Sequence, residues 1–197
     1  MIEYICDNIL EIAGTLVGVL YLYWEYKGDI RLWIAGIIMP ALSLYVYYTA
    51  GLYADFGINI YYLLVAIYGW AIWRFGITGK KGDKQELKIV HTSRKHYLPL
   101  LLSFLALWIG IGEILKHFTN STVPWIDAFT TALSIIGMWM LARKLIEQWW
   151  AWLLVDAVSS CLYVYKGIYF YAALYAVYTI IVFFGYRKWK KLMAQGL

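Results

Sequence analysis

Charged residues are scarce in this sequence, and their scarcity excludes most soluble folds. Only 15% of the 197 residues are charged and 63% are hydrophobic, whereas soluble domains carry about 25% charged residues. The two cysteines, Cys6 and Cys161, form neither a disulfide framework nor a CxxC metal or redox motif. The composition predicts a protein that is solvated by lipid and has no room for a separate soluble domain.

Catalytic and metal-binding motifs are also lacking. His91 and His96 lie in a basic connection and His117 lies in another, so no cluster of three ligands is expected. The sequence contains no Gly-rich phosphate loop, no GxSxG and no HExxH. We therefore expect no enzyme, no cofactor and no metal, and keep an integral membrane enzyme or receptor only as the alternative class.

Long apolar runs are what the sequence does contain. A helix that crosses a bilayer needs about 20 mostly apolar residues. Charges, glycines, prolines and polar clusters delimit seven such runs, at 8–26, 31–50, 55–75, 97–116, 124–142, 148–166 and 169–187. The first run lacks the positive leader of a secretory signal, so we expect it to stay as a span. The prediction is an all-α, polytopic membrane protein of seven transmembrane helices.

The basic residues predict the orientation of these helices. If the connection at 76–96 is cytoplasmic, fifteen of the 17 lysines and arginines lie on the cytoplasmic side, and Lys116 and Lys166 lie outside. Basic residues accumulate on the cytoplasmic side of membrane proteins. We therefore expect a bacterial inner-membrane protein whose N-terminus is outside and whose C-terminus is cytoplasmic.

An internal repeat relates the two ends of the chain. A shift of 116 residues aligns identical residues, among them Trp33 with Trp149, Ser43 with Ser159, Tyr62 with Tyr178, Gly69 with Gly185 and Trp73 with Trp189. We interpret 8–75 and 124–191 as a duplicated three-helix unit, with a linker loop and central helix at 76–123 that makes the repeats parallel. Parallel repeats are a transporter architecture, with the substrate site at the repeat interface near mid-membrane.

One mid-membrane carboxylate is the main candidate for substrate binding. Asp156 lies halfway along the sixth span, where an exposed carboxylate costs on the order of 2.5–3.5 kcal/mol. Trp149, Trp152, Asp156 and Tyr163 recur at spacings of three, four and seven, on one helical stripe. Indole faces and a carboxylate favour a flat cation. The alternative is that the tryptophans belong to an interfacial belt and that Asp156 makes a helix contact. For Trp149 the belt and the site are equally favoured, whereas for Trp152 and Asp156 the site is favoured.

Other polar candidates are weaker. Asn59 and Tyr62 share a stripe on the third span, and the Asn59 amide suits the edge of a heteroaromatic ring, although an interhelical hydrogen bond is equally favoured. Glu11, Glu113 and Asp127 lie near the outer ends of their spans, where water and headgroups solvate them. We interpret these three acidic residues as groups at helix ends.

Three segments resemble a known family of transporters. They are EIAGTLVGVLYLYWEYK at 11–27, GLYADFGINIYYLLVAIYGWAIW at 51–73 and WWAWLLVDAVSSCLYVYKGIYFYAALYAVYTIIVFFGYRKW at 149–189. They resemble the PnuC-type vitamin transporter family, and the likeness covers nearly the whole chain apart from the basic loop. The resemblance implies seven helices in SWEET-like parallel repeats and facilitated diffusion. It also implies functional coupling to a cytoplasmic kinase that traps the vitamin by phosphorylation.

The resemblance also bears on the substrate. The family carries nicotinamide riboside and has a thiamine branch, PnuT; its WxxW pair corresponds to Trp149 and Trp152. Asn59 stands where the nicotinamide riboside members carry Gln, and Asp156 follows the tryptophan pair, so the resemblance favours thiamine over nicotinamide riboside, the alternative. The expected partners are the vitamin and membrane lipid, without nucleic acid, and formation of a homo-oligomer is left open. The predicted substrate-binding residues are Asn59, Tyr62, Trp149, Trp152, Asp156 and Tyr163.

Overall fold

The computed structural model describes residues 9–49, 53–78, 84–85, 87–167 and 169–196. In these residues the chain forms seven helices: α1 (Ile9–Lys27), α2 (Arg31–Thr49), α3 (Tyr53–Phe75), α4 (Arg94–Phe118), α5 (Pro124–Ala142), α6 (Gln148–Tyr165) and α7 (Tyr169–Ala194). Two short strands, β1 (Ile77–Thr78) and β2 (Lys84–Gln85), pair antiparallel. The predicted all-helical fold with seven helices is therefore confirmed, apart from this small hairpin.

Helix ends follow local sequence signals. Gly28 and Gly76 come directly after α1 and α3, with φ of 65° and 73°, a left-handed conformation that ends helices and favours glycine. α7 continues to Ala194, seven residues beyond the predicted end of its span. Lysine, leucine, methionine and alanine in this extension are good helix formers, so the helix has no reason to stop where its apolar run stops.

Among the described residues, three helices meet the length and hydropathy that membrane crossing requires: Phe56–Phe75 within α3, Arg94–Phe118 and Pro124–Ala142. α4 exposes large apolar side chains along its length, including Leu98, Ile109 and Phe118. An exposed apolar surface of this extent is unfavourable in water and favourable in lipid. The fold is thus that of a multi-pass membrane protein.

The chain divides after Leu87 into two compact units. In the first unit, α2 contacts both α1 and α3. In the second unit, α4, α5, α6 and α7 contact one another in sequence order. The central helix, predicted as part of a linker between repeats, therefore packs against α5 and belongs to the second unit.

In the first unit, Trp33 packs α2 against α3. Its side chain is fully buried and meets the Trp73 ring edge-on, with ring centroids 5.6 Å apart and planes at 86°. A Cβ atom at Gly69 would lie 2.5 Å from the Trp33 ring. The close contact between α3 and Trp33 therefore requires glycine at this position.

The second unit contains the same packing at the positions that a shift of 116 residues predicts. Trp149 is 2% exposed and meets Trp189 edge-on, with ring centroids 5.7 Å apart and planes at 88°. A Cβ atom at Gly185 would overlap the Trp149 ring. The two units thus share their tryptophan packing in sequence position and in geometry.

Candidate substrate site

The turn between α5 and α6 determines where α6 begins. Lys144 adopts a φ of 51° in this turn. The Val90 amide donates to the Lys144 carbonyl oxygen at 3.1 Å, and the Ile146 amide donates to the Val90 carbonyl oxygen at 3.0 Å. The segment that precedes α4 therefore holds the turn by backbone hydrogen bonds.

Glu147 adds a side-chain anchor directly before α6. Its Oε2 accepts hydrogen bonds from the Thr92 amide and hydroxyl, both at 2.8 Å, and its Oε1 lies 2.7 Å from His91 Nδ1. Partial burial raises the pKa of Glu147, but these hydrogen bonds outweigh burial and bring the pKa below its ordinary value. The start of α6 is thus fixed by residues 90–92.

Asp156 is a buried carboxylate in the middle of α6. It is 8% exposed, and no lysine, arginine or histidine among the described residues forms an ion pair with it. The Tyr178 hydroxyl on α7 lies near enough to interact with it electrostatically. Charged groups within membrane helices are normally paired or face a ligand path, so Asp156 is suited to bind a cation.

Trp152 lies one helical turn from Asp156 on the same face of α6. Its Nε1 is buried and has no hydrogen-bond partner in the part of the chain that the structure describes. Its ring lies against α5, where a Cβ at Gly137 would be 3.4 Å away. An indole ring and a carboxylate on one face together suit a flat, positively charged ligand.

Tyr163 joins this face to a series of tyrosine rings. Its ring centroid lies 5.5 Å from that of Tyr171 and 5.3 Å from that of Tyr175. Tyr175 lies in turn 5.7 Å from Tyr178, the neighbour of Asp156. The structure thus brings Asp156 and Tyr163 together with α7 tyrosines that the sequence analysis did not include among the candidates. The Trp152 ring lies against α5 instead.

Trp149 has a different environment from Trp152. It packs on Gly185 and Trp189 and is almost completely buried. Its Nε1 has no hydrogen-bond partner among the described residues, and the same is true of Trp33 in the first unit. Because this arrangement occurs in both units, helix packing accounts for Trp149, and its role in binding stays a prediction.

Asn59 and Tyr62 belong to α3 in the first unit. Both are partly buried and lie three residues apart, so they share a helix face. The Tyr62 ring contacts that of Tyr61, with centroids 5.7 Å apart. Since the other predicted site residues belong to the second unit, the roles of Asn59 and Tyr62 also stay predictions.

α2 and α6 carry different residues at the positions aligned by the shift of 116 residues. At three aligned positions α6 has a larger or more polar residue than α2. Gln148 aligns with Leu32, Trp152 with Gly36 and Asp156 with Pro40. The first unit has the same tryptophan packing without these groups, so they are candidates for a role other than packing. The sequence analysis did not include Gln148 among the candidates, although its spacing of four from Trp152 and its alignment with Leu32 can be read from the sequence.

Two of the three acidic residues at the predicted outer ends have local partners. Asp127 forms an ion pair with Lys166 at 2.9 Å and accepts a hydrogen bond from the Ser121 hydroxyl at 2.6 Å. Glu113 lies 3.1 Å from His117, four residues later. The side chain of Glu11 lies outside the described residues. The contacts support the interpretation of Asp127 and Glu113 as groups at helix ends.

A cavity of about 440 Å³ lies between the start of α5 and the second half of α6. Its lining is Val123, Ile126, Ala157, Val158, Cys161, Leu162 and Tyr165. None of the predicted site residues contributes to it. The cavity is thus distinct from the face of α6 that carries Trp152 and Asp156.

A multi-pass helical fold with a buried carboxylate one helical turn from an indole suits a membrane transporter for a small molecule. A family model described as nicotinamide mononucleotide transporter matches residues 8–191. The chain belongs to this family, and it is a vitamin transporter of the PnuC type, not an enzyme.

Two curated relatives and one solved structure illustrate the range of the family. The nicotinamide riboside transporter PnuC of Escherichia coli is 24% identical over 208 residues, which cover 91% of this chain and 84% of the relative. The riboflavin/roseoflavin transporter RibM of Streptomyces davaonensis is 24% identical over 180 residues, 91% of this chain and 83% of the relative. The crystal structure of the vitamin B3 transporter PnuC matches this structure with a TM-score of 0.71 at 24% sequence identity. The match covers 98% of this chain and 85% of that chain, and it establishes the fold.

Proposed function

We propose that this protein carries a flat, positively charged vitamin across the membrane by facilitated diffusion, and that its substrate is nicotinamide riboside. The observation that carries the proposal is the buried carboxylate of Asp156, which forms no ion pair with any described residue and lies one turn from the Trp152 indole. A pyridinium ring supplies both a positive charge for the carboxylate and a cationic face for the indole.

The same face favours the riboside over the mononucleotide. A phosphate monoester carries a charge of about −1.5 to −2 at neutral pH, and Asp156 would repel it. On the described face of α6 no lysine or arginine accompanies Trp152 and Asp156. The basic residue that follows the helix, Lys166, already pairs with Asp127. A substrate without phosphate therefore fits these charges better.

Two other vitamins are weaker candidates. Thiamine, the substrate that the sequence analysis favoured, also carries a cationic ring, but none of the relatives named above is described as a thiamine transporter. Riboflavin has a neutral ring and offers no charge to Asp156. Nicotinamide riboside meets both criteria, since it is cationic and since a curated relative is named for its transport.

Three finer features belong to the same proposal. The shared tryptophan packing supports a duplicated three-helix unit. The distribution of basic residues supports a C-terminus in the cytoplasm of a bacterial cell. Trapping of the vitamin by a cytoplasmic kinase would make facilitated diffusion directional, and it stays a prediction, as does formation of a homo-oligomer.

A pair of tryptophan variants tests the binding face. Trp152→Ala should weaken the binding of nicotinamide riboside about 30-fold, because a desolvated cation–π contact contributes about 2 kcal/mol. Trp150→Ala is the matched control: Trp150 is 43% exposed and contacts Tyr186 instead, so we expect a change of less than about twofold. Isothermal titration calorimetry of the purified protein measures both. Equal losses in the two variants, or no binding by the wild type, would contradict the proposal.

A further inference from the structure

The side chain of Gln148 is a buried amide for which the described residues supply no hydrogen-bond partner. Gln148 is the first residue of α6 and is 0% exposed. Neither its Nε2 nor its Oε1 has a hydrogen-bond partner in the described part of the chain. Buried amide groups almost always have partners, and an unpaired one is destabilising. Its presence therefore requires a reason other than stability.

Packing does not supply that reason. The corresponding residue of α2 is Leu32, which is also fully buried. The residues that follow, Trp33 and Trp149, pack against their neighbouring helices with the same geometry. A leucine of similar volume thus satisfies the same position in the first unit, and the amide of Gln148 adds donors and an acceptor that the fold does not need.

The position of Gln148 relates it to the candidate substrate site. Gln148, Trp152 and Asp156 follow one another at spacings of four along α6, so they lie on adjoining parts of one helix side. At a rise of 1.5 Å per residue, the Cα atoms of Gln148 and Asp156 are about 12 Å apart, with Trp152 between them. The hydrogen bonds of Glu147 to Thr92 hold this end of the helix in place.

We infer that Gln148 is a substrate-binding residue at the end of α6 nearest the basic α5–α6 turn. Its amide donates from Nε2 and accepts at Oε1, so it pairs with a ligand edge on which a donor lies beside an acceptor, as in a primary carboxamide. The inference rests on the proposed function. It assigns to Gln148 the recognition of the uncharged carboxamide edge of the substrate, while Trp152 and Asp156 interact with the charged ring.

The variant Gln148→Leu tests the inference, because it places in α6 the residue that α2 already has. Uptake of nicotinamide riboside into proteoliposomes should fall about tenfold, the usual effect of losing a buried hydrogen bond to a ligand. The thermal unfolding midpoint should stay the same or rise, since an unpaired amide is removed. Wild-type protein should also prefer nicotinamide riboside to nicotinic acid riboside, in which a carboxylate replaces the carboxamide, and the variant should lose this preference.

The outcomes separate this inference from the proposed function. Wild-type uptake and an unchanged preference in Gln148→Leu would overturn the role of Gln148 and leave the proposed function intact. A loss of uptake together with a lower unfolding midpoint and an unchanged preference would show a structural role and also overturn it. If the wild type carries thiamine or riboflavin but not nicotinamide riboside, the proposed substrate is wrong, and the uptake ratio of variant to wild type for that vitamin decides the role of Gln148. Failure of the wild type to carry any of the three would overturn both.

Discussion

The glycine beneath each buried tryptophan allows a quantitative prediction. In Gly185→Ala the new methyl group would overlap the Trp149 ring. That ring cannot retreat, because it is buried and lies edge-on against Trp189. Forcing an extra carbon into a packed site costs about 1–3 kcal/mol, and the higher helix propensity of alanine offsets up to about 1 kcal/mol of this. We expect a net loss of about 1–2 kcal/mol.

Thermal unfolding in detergent measures this loss. For a chain of this length, 1 kcal/mol changes the unfolding midpoint by about 2–4 °C, so Gly185→Ala should unfold about 2–8 °C below the wild type. Gly69→Ala should behave alike, because its methyl group would meet Trp33 in the first unit. Gly110→Ala is the control, since apart from the backbone of its own helix no described atom lies within 4 Å of a Cβ there. A midpoint of Gly185→Ala at or above that of the wild type would refute the argument.

Three further predictions concern charged residues. The lowered pKa of Glu147 means that its stabilising contribution is present above the ordinary pKa of 4.5 and is lost as the pH falls through the folded-state value. Glu147→Gln should therefore lower the unfolding midpoint at neutral pH and make the midpoint depend less on pH below 4.5. A series of melting curves at different pH values measures both effects. Lys166→Met removes a partly exposed ion pair with Asp127 that is worth about 0–1 kcal/mol, so the midpoint should fall by less than about 4 °C. Asp156→Asn should weaken binding of nicotinamide riboside at least about tenfold without lowering the unfolding midpoint. Calorimetry measures the binding, and melting curves measure the midpoint.

Local sequence patterns were sufficient to predict the helices. The sixth span was predicted at 148–166, and the helix is Gln148–Tyr165, because apolar runs and their polar boundaries are local properties. The hairpin of β1 and β2 and the contact of Glu147 with Thr92 were not predicted. That contact joins residues 55 positions apart, and no pattern within a short window indicates which distant residues meet.

The candidate site was predictable only where one helix carries it. The stripe on α6 predicted that Trp152 and Asp156 share a face, because periodicity shows which residues of a helix lie on one side. It could not show that Trp149 faces Gly185 and Trp189, since that depends on how α7 packs. Gln148 was not predicted as a candidate because a glutamine at the start of a helix normally reaches solvent, and its burial is known only from the fold.

The most direct test of the account is uptake of labelled nicotinamide riboside by proteoliposomes that contain the purified protein, without ATP or an ion gradient. The account predicts saturable uptake that exceeds that of empty liposomes and stops when the internal and external concentrations are equal. Uptake no faster than in empty liposomes would contradict transport of this vitamin, and accumulation above the external concentration would contradict facilitated diffusion.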